Sequence, residues 1–308
     1  MTLQQLEYVM AVYRCKHFAK AADYCNVTQP TLSSMIQKLE EELSVKIFDR
    51  SKQPIKPTAE GMLIIERAWN ILVRAKQLKE VVEEERHSLS GTFHVAVLPT
   101  IAPYLIPRFL PQLMNEYPEL DIRVTEMKTE DIHKALKHGD IDVGIVAQVE
   151  GQEGFDSEHL YFEKFFVYVS KGDALFNNKA IRTVDLTGEY LWLLDEGHCF
   201  REQLVKFCHL KSAAKSKKAY NLGSIETFMR IVESGKGVTF IPELALEQLT
   251  EVQKELVRSF AHPIPTRDII LLTQKNFLRT SLRQLIIDKI RAAVPADMLQ
   301  MNKMQQAL

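Results

Sequence analysis

Leu3, Leu6, Val9, Met10 and Tyr13 recur at gaps of three, three, one and three, which lays them on one stripe of a helix. His17 and Phe18 interrupt, and Ala19, Ala21 and Ala22 open a short second helix that Asn26 can end, because Asn tolerates the left-handed backbone common at helix C-termini. Thr28 then reads as an N-cap, Gln29 and Pro30 as first helical positions, and Leu32, Met35, Ile36 and Leu39 as the buried face of a third helix. Leu43 to Phe48 predicts a turn into a strand, and Arg50 to Pro57 a Pro-marked basic hairpin. From Thr58 a stripe of Met62, Ile65, Trp69, Leu72, Ala75, Leu78 and Val82 runs without Gly or Pro between them. A helix of about 29 residues would span roughly 43 Å, and burying its stripe calls for a partner, the simplest being a second copy. Glu83, Glu84 and Glu85 read as a solvated face before a hinge at Ser88 to Gly91.

Beyond Thr92 strands alternate with helices. Strands are predicted at Phe93–Leu98, Asp121–Glu126, Ile141–Val146, Phe162–Val169, Tyr190–Leu194, Val238–Ile241 and Ile269–Thr273. Helices are predicted at Pro103–Tyr117, Ile132–His138 and Ser281–Ala293. That alternation implies parallel strand packing with right-handed crossovers, and two strand clusters imply two α/β lobes. Thr100 and Thr129 fall just past strand ends, where ligands bind in open α/β sheets.

Composition changes the picture in two places. Over 308 residues the formal charge is -1, yet the first 79 carry 12 Lys and Arg against 8 Asp and Glu. The third helix exposes Thr28, Gln29, Pro30, Thr31, Ser33, Ser34 and Gln37 near its start, groups suited to base edges. Lys38, Arg50, Lys52 and Lys56 suit phosphates. A three-helix packing module is the bland alternative to a DNA-reading helix-turn-helix. No apolar run approaches the ~18 residues of a membrane span, and no secretory leader pattern opens the chain, so a cytoplasmic location is predicted. Four cysteines are too few for an extracellular disulfide framework.

The cysteines divide. Cys15 and Cys25 fall on the short first helices and read as packing residues. Cys199 follows an apolar strand and a turn at Gly197, with His198 and Arg201 beside it, where a helix N-terminus and cations favour thiolate while Asp195 and Glu196 oppose it. Cys208 lies nine residues on. On one helix that spacing is about half a turn out of alignment with ~13.5 Å of rise, whereas a disulfide needs Cα atoms within about 7 Å. Three readings stay open: buried packing, a metal site using His198, Cys199, Cys208 and His209, and a thiol redox sensor whose oxidation unwinds the helix.

Ala21-Ala22, Val27 to Ser33, Ile36, Leu39-Glu40, Ile47-Phe48, Arg50 and Thr58 to Gly61 together resemble the winged helix-turn-helix of LysR-type transcriptional regulators, with Met35 and Ser34 departing from the usual residues. The stretch from His198-Cys199 to Cys208, Gly223 to Thr227 and Gly235 to Pro242 is similar to the peroxide-sensing members of that family. The resemblance implies a winged helix-turn-helix over 1–57, a linker and dimerisation helix over 58–88, and a two-lobed, periplasmic-binding-protein-like α/β effector domain over 89–308. Lobe I would comprise about 92–163 and 268–300 and lobe II about 164–267, with crossings near Glu163 to Phe166 and Ile264 to Ile269. It further implies a peroxidatic Cys199, a resolving Cys208, and supporting roles for His198, Arg201, Thr100, Thr129 and Arg267, with Glu202 where Asp is usual. No cofactor or metal is implied. The implied partners are operator DNA, copies of the same chain as a dimer of dimers, RNA polymerase and a thiol reductant; activation is the commoner outcome, and no enzymatic turnover is implied. The rivals are a regulator binding a small carboxylate or aromatic effector between the lobes, a thiol peroxidase with an appended DNA-binding module, and a zinc-responsive repressor.

Overall fold

The computed structural model describes residues 1–85, 89–186, 191–194, 199–208, 224–235 and 237–308, without the side chains of 76, 77 and 79–85. The chain divides into two compact units, Met1–Arg86 and His87–Leu308.

The first unit holds α1 (Leu3–Cys15), α2 (Phe18–Tyr24), α3 (Gln29–Leu43), the two-stranded wing β1 (Phe48–Asp49) and β2 (Lys56–Pro57), and α4 (Ala59–Glu85). Local chemistry accounts for its boundaries. Thr2 and Gln5 form a capping box at α1, Asn26 takes φ 55° after α2, and Thr28 caps α3 through the Thr31 amide. Leu6, Val9, Leu32, Ile36 and Leu39 make the core with Ile65, Ala68 and Trp69. The α4 stripe is thus shared. Ile65, Ala68 and Trp69 pack inside the unit, whereas Met62, Leu63, Ile71 and Leu78 are exposed. Ser88, in the predicted hinge, lies outside the described residues. Cys15 and Cys25 are half-buried against this core, as packing residues would be.

Glu40 ties the wing down. Its carboxylate, 2% exposed, accepts from the Ile47 and Phe48 amides at 2.7 and 3.3 Å and faces Lys46 and Arg50. Gly61 is required where α4 passes the same strand, because a Cβ there would lie 2.0 Å from the Ile47 carbonyl oxygen.

The second unit is a mixed α/β fold containing β3 (Gly91–Val97), α5 (Ala102–Glu116), β4 (Leu120–Glu126), α6 (Thr129–Lys137), β5 (Val143–Ala147), β6 (Phe155–Val169), β7 (Ala180–Ile181), α7 (Cys199–Phe207), α8 (Ile225–Glu233), β8 (Val238–Pro242), α9 (Glu251–Lys254), β9 (Val257–Phe260), β10 (Ile264–Gln274), α10 (Thr280–Ala293) and β11 (Gln305–Ala307). The strand order is β4-β3-β5-β10-β6-β9-β7, with β11 on β10 and β8 on β6. β3, β4 and β5 are parallel, while β10 runs antiparallel to β5 and β6.

Two strands are longer than the sequence pattern predicts. β6 begins at Phe155 because Asp156, Ser157, Glu158 and His159 are held by the ladder to β10, although they lack the apolar run that marks its second half. β6 pairs with β10 up to Lys164 and with β8 and β9 from Phe165, so one strand serves both halves of the sheet. The predicted strand at Tyr190–Leu194 is reduced to one bridge, Leu191 to Val238. The Trp192 amide donates to the Val238 carbonyl, and its own carbonyl accepts from the Thr239 hydroxyl, after which the described chain makes no further ladder. Tyr190 lies outside the described residues.

Gly61→Ala is expected to destabilise the first unit by about 1–3 kcal/mol or more, since backbone is the obstacle and cannot rotate away. Denaturant unfolding of the full chain, read at its first transition, checks this.

Candidate functional site

Cys199 is the first described residue of α7 and is 5% exposed. Phe200, next along, packs edge-on to Phe165 of β6 at 4.9 Å between centroids. Between these rings and the Thr100 turn lies Arg267, wholly buried, its guanidinium carbon 5.6 Å from the Phe165 centroid and 5.2 Å from that of Phe200. Its Nε and Nη2 donate to Glu163 Oε2 at 2.8 and 2.6 Å, its Nη1 to Thr100 Oγ1 at 3.1 Å, and Nη2 again to the Thr100 carbonyl at 3.1 Å. Glu163 and Arg267 face each other in the β6–β10 register.

Charge decides the behaviour of the thiol. Burial pushes Cys199 up from the ordinary thiol range, and Arg267, the Thr129 hydroxyl and the Phe200 amide pull it partly back. Thr129, the first residue of α6, is itself buried with no full hydrogen bond from its hydroxyl among the described residues, so that group is available to the sulfur or to a ligand. Burial likewise pushes Glu163 up, opposed by Arg267.

Cys208 directly follows α7 and continues it, its amide donating to the Leu204 carbonyl at 2.9 Å. It is 5% exposed, and burial pushes its thiol up to about 12. The helix between the two cysteines is therefore intact and both thiols are free. With ~13.5 Å of rise between them, no disulfide can close until α7 unwinds.

The remaining expected groups are placed as follows. Arg201 donates to the Leu194 carbonyl at 3.1 Å, so the cation acting on Cys199 is Arg267 instead. Arg267 in turn spends its donors on Glu163 and Thr100, which leaves it acting through its field and through Thr100. His198 and His209 lie outside the described residues; among the described residues no three metal-binding side chains cluster. Sequence reasoning missed Glu163 as a site residue, although an acid in the apolar run Tyr161 to Val169 and a base before the run Ile269 to Leu272 were the available signal. It also missed Gln203, one turn past Cys199, buried with Oε1 unpartnered among the described residues and Nε2 donating to the Gln148 carbonyl at 3.4 Å.

Cys199, Thr129 and Gln203 open onto a cavity of about 1060 Å³ whose walls include His133, Gln148 and Arg182. Burial lowers the pKa of His133 there.

In the first unit, Thr28, Gln29, Pro30, Thr31, Ser34, Gln37 and Lys38 are exposed along α3, and Arg50, Lys52 and Lys56 along the wing. Ser33 is half-buried and accepts from Arg50 at 3.0 Å. Arg50 also lies over the Phe18 ring at 4.8 Å, so it braces wing against helix. The Ser51 hydroxyl, donating to Asp49, and Lys52, paired with it at 3.0 Å, together hold that carboxyl at about 2.

Residues 3–62 match the model of the bacterial regulatory helix-turn-helix protein, lysR family, and residues 86–295 that of the LysR substrate binding domain. The chain belongs to the LysR family. This is a family of DNA-binding transcription regulators, and residues 3–62, which hold α1 to α3 and the wing, are its helix-turn-helix region. The chain is 31% identical over 303 residues to a hydrogen peroxide-inducible genes activator of Pectobacterium carotovorum subsp. carotovorum, covering 98% of this chain and 100% of that one. It is 32% identical to the DNA-binding transcriptional dual regulator OxyR of Escherichia coli K12 over 95% of each. Among solved structures, a full-length OxyR variant from Pseudomonas aeruginosa superposes with a TM-score of 0.77 at 30% identity, covering 96% of this chain and 99% of that one. OxyR from Porphyromonas gingivalis gives 0.67 at 46% identity over 71% of this chain and 99% of that one.

Removing Arg267 strands a buried carboxylate. Arg267→Met is expected to cost about 3–5 kcal/mol of stability, and the double variant Arg267→Met/Glu163→Gln to recover part of it. Equilibrium unfolding in urea checks both. In the double variant the pH midpoint of Cys199 alkylation is expected to move further up, because the cation that favours thiolate is gone; peptide mapping after iodoacetamide at graded pH reads it.

Proposed function

We propose that this LysR-type regulator senses hydrogen peroxide through Cys199 and Cys208 and controls transcription of peroxide-defence genes. The observation that carries the reading is Cys199 at the start of a short helix, under the field of Arg267 and beside a free Thr129 hydroxyl, with a second thiol held one unwinding away. The thiolate attacks one peroxide oxygen, the O–O bond breaks, and the departing oxygen takes a proton to leave as water, giving a sulfenic acid at Cys199. Thr129 is placed to donate to the oxygen on which charge develops. Cys208 then displaces hydroxide from that sulfur, releasing a second water and forming the disulfide. At a pKa of about 12, buried Cys208 is nearly inert at neutral pH, so it attacks only after α7 opens and solvates it. A cellular thiol reductant resets the pair, and no cofactor takes part.

The DNA-facing groups are Thr28, Gln29, Pro30, Thr31, Ser33, Ser34, Gln37 and Lys38, with Arg50, Lys52 and Lys56 along the wing at the phosphates. The exposed Met62, Leu63, Ile71 and Leu78 of α4 suit pairing with a second copy. We read the working form as a dimer of dimers in the cytoplasm that meets RNA polymerase at the promoter. Among the described residues no helix is long and apolar enough to cross a membrane.

Brief micromolar peroxide followed by non-reducing peptide mass spectrometry is expected to give a Cys199–Cys208 linked peptide, and Cys199→Ser to abolish both the link and the peroxide-dependent change in operator footprint. An intact footprint response in Cys199→Ser sinks the reading. Wing residues are tested separately: Lys56→Ala should weaken binding similarly across operator sequences and reduce the salt slope by about one.

A further inference from the structure

The chemistry proposed for Cys199 uses Arg267 and gives Glu163 no part, although Glu163 is a titratable group only 1% exposed. Every nitrogen of the Arg267 guanidinium has a partner other than sulfur. Nε and Nη2 lie 2.8 and 2.6 Å from Glu163 Oε2, and Nη1 and Nη2 each lie 3.1 Å from an oxygen of Thr100, the hydroxyl and the carbonyl respectively. The carboxylate in turn has Arg267 as its cation, because its other cationic neighbours are engaged elsewhere. Lys164, next along β6, pairs with Glu243 at 2.6 Å, and Arg108 of α5 pairs with Glu247 at 2.6 Å. What else faces Glu163 carries no charge: the Leu244 amide, which reaches Oε1 at 3.5 Å, and the buried phenols of Tyr161 and Tyr104. The Tyr161 hydroxyl has no partner among the described residues, and that of Tyr104 donates to Glu226 at 3.0 Å.

The β6–β10 register sets Glu163 opposite Arg267, so the carboxylate draws the guanidinium toward β6 and not toward the sulfur. Charge adds to position. A lone buried cation would act strongly on a nearby thiolate, but one with a carboxylate 2.6 Å away acts as a dipole, whose field falls off faster with distance. Cys199 therefore feels only part of a charge from that side. On its other sides the sulfur meets the Thr129 hydroxyl of α6 and the Glu202 carboxylate of its own helix.

We propose that Glu163 is a positioning residue of the sensor, which holds the Arg267 guanidinium against β6 and offsets its charge, and thereby sets how readily Cys199 reacts. The inference rests on the peroxide-sensing reading and supplies its restraint. Arg267 makes the thiolate accessible, and Glu163 keeps that accessibility low enough that the reduced form persists until peroxide rises.

Two substitutions separate charge from shape. Glu163→Gln keeps the outline and removes the charge, whereas Glu163→Asp keeps the charge and draws it back by one methylene. Iodoacetamide labelling of Cys199 in the full reduced chain at graded pH, read by peptide mapping, is expected to give a midpoint about one unit lower in Glu163→Gln, with Glu163→Asp between it and the unaltered chain. A fall of that size raises the thiolate fraction about tenfold at neutral pH and, after the accompanying loss of nucleophilicity, the rate of dimedone-trapped sulfenic acid formation about three- to fourfold. The sign is diagnostic. Arg267→Met/Glu163→Gln disturbs the same contacts yet raises the midpoint, while loosening alone would move both variants the same way. All other groups around Cys199 are common to these chains and cancel in the comparison. Thermal unfolding shows which reduced variants fold; should Glu163→Gln not fold, Glu163→Asp decides, a lowered midpoint supporting the proposal and an unchanged one overturning it. A midpoint unchanged or raised in folded Glu163→Gln overturns it, as does a fall in Glu163→Asp as large as in Glu163→Gln. A chain whose Cys199 alkylates as expected but forms no sulfenic acid with hydrogen peroxide instead refutes the peroxide-sensing reading, and leaves the charge relation between Glu163 and Cys199 standing.

Discussion

A guanidinium with no exposed surface has to be neutralised and hydrogen-bonded where it lies, and that requirement organises the second unit around Arg267. An unpaired charge at that depth costs far more than any one contact returns. Glu163 answers it directly across the β6–β10 ladder, and the Thr100 turn answers it from the end of β3. Phe165 and Phe200 close over it. Four segments distant in sequence are thereby fixed to one charge: the middle of β6, the start of β10, the turn after β3 and the first turn of α7. Cys199 is held at the edge of that assembly because Phe200 is part of it. The reactive sulfur inherits its position from a packing and charge constraint that has nothing to do with sulfur.

The same constraint makes α7 unequal along its length. Its first turn is bound to the buried pair, while its far end is held by Leu204, Cys208 and the ring contact between Phe207 and Phe260 at 6.2 Å. Apolar contacts of that kind can be exchanged for others at modest cost. The Arg267–Glu163 pair cannot, since breaking it leaves two charges without partners. The Cys208 end of α7 is therefore held by contacts that cost less to exchange than those at its start. Burial also pushes the Cys208 thiol up to about 12, which keeps it almost wholly protonated at neutral pH.

Much of this was readable in the sequence, and the failures share a cause. The three-residue and four-residue spacing of Leu3 to Tyr13, the cap at Thr28 and the apolar runs of β3, β5 and β8 report local preferences, and those elements stand where the pattern puts them. β6 and β10 were shortened because their outer portions are polar or interrupted by Pro, and they are strands only by virtue of the ladder they make with each other. The Tyr190–Leu194 run erred in the other direction: it has the composition of a strand, but the described part forms a single bridge. Thr100, Thr129 and Arg267 were legible through resemblance to a family. Glu163 offered only an acid within an apolar run as its signal, because its partner lies 104 positions away.

The first unit contains a buried carboxylate too, and the contrast shows what each part of the chain can do. Glu40 is satisfied chiefly by two backbone amides seven and eight residues ahead of it, so its partners come from the wing strand itself. Arg50 reaches back from the wing to Glu40, Ser33 and the Phe18 ring, and Gly61 lets α4 pass within contact of Ile47. Helix α3, the wing and the start of α4 are consequently tied together through Glu40, Arg50 and Gly61. In the second unit the buried carboxylate is paired with a side chain, beside a helix whose Cys199 and Gln203 line a cavity. A helix that reads base edges has to keep its side chains at fixed spacing, and the first arrangement supplies that.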